Sequence, residues 1–455
     1  MLTENEIQLA RNCVRHAMEC GAEGVRVNLS KSVMDGCTMF NGNLDKVTHS
    51  ADRSIYMYLF ADGKYGTFST NRIVKEELED FITKAIGMVR MLGEDPCRRL
   101  PEKDRTAKDA ITGKELGLFD EEYHSMNMTR RLENAGKLGT FRSLQEMQEN
   151  WKVISEECEY SDSIDDYITI DSQGFEGRHT ETSFTCFSEI TVEDAEGNKF
   201  SGHWWEASPF FCKLDIRSCG GKALERAVSQ IGPKPRRSGR YRMVVDSSVA
   251  ARLVSPLFSA LNASAIQQKM SFLSDSLDNK VFSEGLTIMD LGRTYGKPGS
   301  RLFDTEGVAV QDGPVIENGV VRKYFVNTYM AGKTGMSPTI EDISRPCLMP
   351  FIKGKDLLSE EKDLSLDAIM RLCGSGILVT GFNGGNCNPA TGDFSFGIEG
   401  FAFSRGRKTH PVREMLITGN IVTLWNKLTA AGNDARECTR WQIPTLAFED
   451  VSFSA

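Results

Sequence analysis

Histidine is scarce in this chain: six residues in 455, namely His16, His49, His124, His179, His203 and His410. The closest two, His179 and His203, stand 24 residues apart, so neither a helix turn nor a tight hairpin presents a ready pair of imidazoles. A catalytic zinc takes three protein ligands and keeps one position open, and its usual sequence trace is a local histidine pair. That trace is absent. Gly-x-Ser-x-Gly, the strained turn that exposes a nucleophilic serine, does not occur either. The twelve cysteines are scattered from Cys13 to Cys438 without a Cys-x-x-Cys pair, which in a long chain reads as reduced, mostly buried thiols. No apolar run approaches the ~20 residues of a membrane span. The opening "MLTENEIQLA" carries acids where a signal peptide needs bases, so a soluble, cytoplasmic protein is expected. Positive charge is in deficit: 54 basic against 63 acidic side chains give a net charge of -9. Nothing in that balance recruits nucleic acid or anionic lipid.

What is present points to an α+β protein of more than one domain. Thr3 with Glu6 forms a capping box ahead of Ile7, Ala10, Val14 and Ala17 at helical spacing, and Gly21 ends that helix. Alternating segments follow, with turn signals at Asn41-Gly42-Asn43 and Ala61-Asp62-Gly63, and then a second helix after Asn71. Residues 93–112 lose periodicity and fill with charge, as an exposed crossing segment would. Helical sequence is expected from there to about residue 148, then long strands to Ser208 and a helix near 220–231. The basic run "KPRRSGRYR", 234–242, lies between the helix stop Gly232-Pro233 and the strand "MVV", and serves as a boundary. An N-terminal α/β region with an antiparallel sheet and flanking helices, 1–235, is thus expected to precede a β-rich domain, 236–455. In the second domain helices are expected at about 248–262, 365–373 and 420–431.

Candidate chemistry is thin. The stretch "GFNGGNCNPATGDFSFGIEG", 381–400, is rich in glycine, but it opens into the alternation of Phe394 and Phe396, and no Gly-Lys-Ser/Thr follows it. A phosphate cradle needs glycines that open directly into a helix, so this stretch reads as a turn feeding a strand. Asp165, Asp166 and Asp171 could bind a hard cation, but beside Tyr167 and Ile168 they read as a polar turn. Cys387 lies in a loop and would be nucleophilic only with a nearby cation, for which Arg405 and His410 are the nearest candidates in sequence. Trp204 and Trp205 are adjacent, and on a strand they point to opposite faces, one into the core and one to a contact surface.

Taken in order, several segments resemble the TldD/PmbA family, known as modulators of DNA gyrase and as zinc-dependent peptidases of unfolded peptides. They include "FNGNLDKVTHSADRSIYMYLFADGKYGTFST", "YITIDSQGFEGRHTETSF", "GPKPRRSGRYRMVVDSSVAARLV", "FDTEGVAVQDGPVIENGVVRKYFVNTYMAGKTGM", "NPATGDFSFGIEGFAF" and "GNIVTLWNKLTAAGND". No single one is diagnostic; order and spacing make the resemblance specific over nearly the whole chain.

The TldD kind of member carries His-Glu-x-x-x-His on the helix after the "VVD" strand, and the resemblance places Ser255, Pro256 and Ala260 at those three positions. A zinc-binding cysteine near the C-terminus also belongs to that kind, and Cys438, four residues after Asp434, matches its placement poorly. The resemblance is therefore to the PmbA, or TldE, kind. It implies no catalytic residue, no metal and no cofactor in this chain. It further implies a heterodimer with a TldD-like zinc-bearing subunit, or a homodimer when alone, with unfolded peptides as substrates of the complex. Cys387, Asp393, Asn433 and Asp434 are the candidate cleft residues. Two other readings stay open: a peptidase with unrecognised ligands, such as carboxylates with Cys387 or His410, and a non-proteolytic interaction protein that modulates DNA gyrase.

Overall fold

The computed structural model describes residues 1–139, 150–355 and 363–455. The chain is α+β and divides into two compact units. The first takes Met1–Val228 together with Arg293–Val310 and Asn327–Glu341; the second takes Ser229–Gly292, Gln311–Val326 and Asp342–Ala455.

In the first unit, helix α1 (Glu4–Glu19) begins where the capping box places it: Thr3 accepts the Glu6 N–H, and the Glu6 carboxylate accepts the Thr3 N–H at 2.8 Å. Strands β1 (Gly24–Phe40), β2 (Asn43–Ala61) and β3 (Lys64–Thr70) form a meander. Its turns are Asn41-Gly42, with φ of 50° and 79°, and Asp62-Gly63, with φ of 52° and 68°. Two successive positive φ values give the two-residue turn whose twist matches the flanking strands. After helix α2 (Lys75–Val89) and helix α3 (Met128–Leu138) come β4 (Trp151–Asp171), β5 (Glu176–Asp194), β6 (Lys199–Ser208) and helix α4 (Ile216–Ser229). The six strands make one antiparallel sheet in the order β3-β2-β1-β4-β5-β6. Side chains alternate between its faces. Leu29, Ile55 and Ile168 pack with α1 and α2 in one core, while Tyr160, Phe184 and Cys186 pack with α3 and α4 in another.

Four expectations about this unit need correction. Asp165 and Asp166 are not in a turn but inside β4, whose even-numbered residues face the helices. There Asp166 is buried and takes two bonds from Arg178, at 2.9 and 2.6 Å, and the Leu2 N–H at 2.7 Å. Asp171 does hold a turn, its Oδ1 accepting the N–H groups of Gln173 and Phe175 at 2.8 and 3.0 Å. The segment 93–112 is irregular and mostly exposed, yet Leu100, Ala107 and Ala110 are buried, the last two in a cluster with Phe175, Leu302 and Phe303. Residues 113–127 are not an α-helix. Residues 110–118 instead bond to β5, with Arg178 N–H to Ala110 O, Thr180 N–H to Gly113 O and Thr182 N–H to Leu118 O. This covers β5 beyond the reach of β6, which pairs only with residues 184–193. The expected helix beyond residue 139 lies outside the described residues. Trp204 and Trp205 are both half-buried, so neither is wholly core; Trp204 packs against the α4 core with Lys222 and Arg226 over its ring. Helix α7 (Thr328–Thr334), which follows the Asn318-Gly319 hairpin turn, also belongs to this unit.

In the second unit, β7 (Gly239–Val245) leads into helices α5 (Ala251–Ala260) and α6 (Ala263–Gln267). Strands β8 (Ile288–Asp290), β9 (Gly313–Glu317), β10 (Val320–Val321) and β11 (Pro346–Leu348) form a small sheet in the order β10-β9-β8-β11. The rest comprises β12 (Phe351–Ile352), helix α8 (Leu366–Cys373), β13 (Ser375–Phe382), β14 (Asn386–Cys387), β15 (Asp393–Ser404), β16 (Arg407–Asn420), helix α9 (Ile421–Trp425), β17 (Leu428–Ala431) and β18 (Leu446–Ser454). Strand β7 pairs with β13 in parallel and with β18 antiparallel. Since β13, β15, β16 and β18 are linked in turn, these five strands close on themselves. Closure removes free edges. The expected helix over 420–431 is a single turn, α9; Leu428–Ala431 is strand because it pairs with Leu446–Phe448.

Candidate functional site

The turn that leads into α5 is held by Asp246, whose carboxylate accepts the Ser248 N–H and hydroxyl at 2.8 and 2.5 Å and whose carbonyl takes the Val249 and Ala250 N–H groups. One side of α5 is apolar and buried: Leu253, Val254, Leu257, Phe258 and Ala260. The Phe258 ring packs on Phe325 and Trp441, with centroids 6.4 and 5.7 Å apart, and the Trp425 indole donates to the Leu253 carbonyl at 3.2 Å. Of the three positions singled out by the resemblance, Ser255 is exposed, Pro256 is part-buried and Ala260 is only 1% exposed. Positions five apart on an α-helix are separated by roughly 140°. Ser255 and Ala260 accordingly sit on different faces, one at the surface and one in the core.

Arg252 escaped the sequence reading. Its Nη2 donates to Gly385 O at 2.9 Å and its guanidinium lies 5.2 Å from the Phe396 ring centroid, tying α5 to the glycine-rich stretch. The available signal was that Arg252 is the one charged residue in an otherwise uncharged helix. The stretch itself folds back so that β14 pairs with β15, Cys387 opposite Phe394. Gly385, at φ 84°, passes so close to β15 that a Cβ would stand 2.0 Å from Ser395 O. The glycines thus permit a backbone crossing and do not open into a helix.

The four candidate cleft residues fall into two places. Cys387 and Asp393 share the glycine-rich loop. Burial, then the charge of Asp393, pushes the Cys387 thiol up, which opposes formation of the nucleophilic thiolate. His410 pairs with Ala402, eight residues along β15 from the partner of Cys387. At ~3.3 Å per residue that separation is about 26 Å, so Cys387 and His410 are not brought together. Asp393 accepts from Asn420 Nδ2 at 3.0 Å and from the Thr391 hydroxyl at 2.7 Å, bonds that hold its carboxyl below the usual range and fasten the loop to the start of α9. Asn433 and Asp434 close a different loop. Asn433 Oδ1 accepts the Leu364 N–H at 3.3 Å, and Asp434 accepts the Thr445 N–H and hydroxyl at 2.8 and 2.7 Å. Cys438, part-buried, lies within that second loop. Among the described residues, no group of three or more His, Cys, Asp or Glu is placed to hold a metal ion. No described helix is long and apolar enough to cross a membrane.

Residues 25–89 match the description PmbA/TldA metallopeptidase domain 1, and residues 238–455 match PmbA/TldA metallopeptidase C-terminal domain. A solved structure from Bacteroides thetaiotaomicron, described as a modulator of DNA gyrase, is 37% identical, with 100% of each chain covered and a TM-score of 0.92. The chain belongs to the PmbA/TldD metallopeptidase family. Metalloprotease PmbA of Escherichia coli is 21% identical over 99% of this chain and 97% of its own. TldE from Thermococcus kodakarensis shares the fold at a TM-score of 0.78, with 16% identity over 98% of this chain and 100% of that one.

Zinc of the kind that the TldD/PmbA resemblance implies for catalytic members does not fit α5. A serine hydroxyl is a poor zinc ligand, and proline and alanine offer no donor atom.

Proposed function

We propose that this PmbA/TldD-family chain is the TldE-like, non-catalytic subunit of a cytoplasmic peptidase complex whose zinc resides in a TldD-like partner. In this reading the chain supplies wall and substrate contact to a chamber in which unfolded peptides are cut, and it homodimerises when the partner is missing. The observation that carries the reading is α5, whose inner side is an apolar packing face, and where Ser255, Pro256 and Ala260, the residues that the resemblance sets at the zinc-motif positions, offer no imidazole and no carboxylate. Further support comes from the abundance of strands, since an extended peptide can be held through its main chain with little regard to sequence. The partner interface is of the obligate type, on the order of 2,000 Å² or more in total. A net charge of -9 gives no drive toward nucleic acid.

The test is a time course of cleavage of a disordered peptide by this chain, by the zinc-bearing relative and by both, each with and without chelator. Cleavage by the mixture alone is expected. Chelator-sensitive cleavage by this chain alone, at the rate of the mixture, overturns the proposal.

A further inference from the structure

Strand β2 pairs with β1 over its full length, but with β3 only over Ile55–Ala61. Residues 43–54 therefore present an open backbone edge, with no partner strand among the described residues, and all of them except Thr48 and Ser54 are exposed. Open edges in solitary chains are usually blunted by bulges, proline or charge. This one carries charges of both signs in an ordered series, Asp45-Lys46-Val47-Thr48-His49-Ser50-Ala51-Asp52-Arg53.

We propose that this edge pairs antiparallel with the same edge of a second copy of this chain, about a two-fold axis at His49. The inference rests on the reading that the chain self-associates when alone, and it names the surface and the register. About that axis Lys46 faces Asp52, Val47 faces Ala51, Thr48 faces Ser50 and Asp45 faces Arg53, and the symmetry repeats each pair. Directly opposed residues of antiparallel strands project from the same face and interact, so each pair joins opposite charges, small apolar groups or hydroxyls. A two-fold normal to the sheet keeps every residue on its own face, so the nearest alternative axes are at Thr48 and Ser50. The first sets Lys46 against Ser50 and Leu44 against Asp52; the second sets Val47 against Arg53 and Thr48 against Asp52. Neither makes a single charge pair. Asp45 falls at the bulge of the β1–β2 ladder, between the Thr38–Lys46 and Met39–Leu44 pairs, and Arg53 already donates to Glu6 of its own chain at 2.9 Å, so Lys46 with Asp52 carries the register. Main-chain capture of varied peptides would not require this self-complementarity, which a second copy does.

The experiment measures sedimentation of the full chain as wild type, Lys46→Asp, Asp52→Lys and the double swap, and cross-linking of His49→Cys under mild copper–phenanthroline oxidation. Each single reversal opposes like charges twice and is expected to weaken the homodimer roughly tenfold. The double swap restores it, and the two single variants prefer each other when mixed. Opposed Cα atoms lie about 4.5–5.5 Å apart, within disulfide reach, so His49→Cys gives a covalent dimer. Val47→Cys alone does not, because its copies are about 13 Å apart along the strands. A homodimer that resists both reversals and yields no His49→Cys cross-link overturns this edge but leaves self-association standing. A monomeric wild type overturns both.

Discussion

The Arg131 guanidinium on α3 grips the Asp162 carboxylate of β4 through two parallel bonds, Nε to Oδ2 at 2.9 Å and Nη2 to Oδ1 at 2.7 Å. Asp162 is 1% exposed, and Asp35 of β1 stands 3.1 Å from the same Nη2. The pair fastens a helix to the middle of the sheet, and the bonds that Arg131 donates to Asp162 raise the affinity of Arg131 for its proton. Removing one partner from such a pair strands a buried charge, at a cost of about 3–5 kcal/mol. Arg131→Met is expected to lower the urea midpoint accordingly. Arg131→Met with Asp162→Leu recovers much of the loss, because it removes the buried Asp162 charge, while Asp35, less deeply buried, keeps its contact with His49 at 2.7 Å.

Asp304 gives a pH dependence of defined sign. It is 2% exposed; its Oδ1 accepts the Glu306 and Val308 N–H groups at 2.9 Å each, and its Oδ2 accepts the Glu341 N–H at 3.1 Å. Burial, then the charge of Glu306, pushes its carboxyl up to about 6. The unfolded value is near 3.9, so the folded group holds its proton more tightly. Its contribution to stability is complete below about pH 4 and is lost as pH rises through about 6. Unfolding free energies of the wild type and Asp304→Asn, measured from pH 4 to 7, are expected to diverge by about 2 kcal/mol, with the wild type losing more as pH rises.

Local patterns were legible wherever local chemistry decides the backbone. The Thr3–Glu6 box and the turns at Asn41-Gly42 and Asp62-Gly63 appear as read, because capping groups and positive φ act within a few residues. What was not legible depends on distant partners. Leu428–Ala431 has the composition of a helix and is drawn into a strand by Leu446–Phe448. Asp166 looks like a turn residue until Arg178, on the neighbouring strand, neutralises it inside the sheet. The return of Arg293–Val310 and Asn327–Glu341 to the first unit leaves no change of composition at either crossing. At the candidate site the residues themselves were legible. Their engagements were not, since Asp393 and Asp434 spend their oxygens on loop partners only folding supplies.

Cys387 should be chemically quiet. Its thiol is part-buried, and burial together with Asp393 pushes it up from its ordinary value, so little thiolate exists at neutral pH. Alkylation by iodoacetamide at pH 7 is expected to be slower at Cys387 than at the exposed Cys212, as read by peptide mass spectrometry. Cys387→Ala is expected to leave cleavage by the mixed complex within about twofold, an energy difference of roughly 0.4 kcal/mol. Loss of activity on this substitution would revive the reading of a peptidase with unrecognised groups.

Placing one histidine on α5 should not create a metal site. Ser255→His places an imidazole on the exposed side of the helix, while Ala260, which the resemblance sets at the second histidine position, offers no donor atom. Pro256 supplies no base, and its missing N–H leaves the Arg252 carbonyl without its helical partner. A catalytic zinc needs three ligands in tetrahedral relation with one position open, and a lone imidazole at the surface meets none of the rest. Elemental analysis after dialysis against a weak chelator is expected to find well under one zinc per chain in both wild type and Ser255→His. Ser255→His is likewise expected to cut no disordered peptide alone and to support the zinc-bearing relative as well as wild type does. Ala260→His is expected to act differently: it forces a polar ring into a position that is 1% exposed and destabilises the fold by roughly 2–4 kcal/mol. Stoichiometric zinc in Ser255→His, with a midpoint of thermal unfolding that rises on zinc addition, would show that an imidazole on α5 finds further ligands around it and would remove the observation on which the non-catalytic assignment stands.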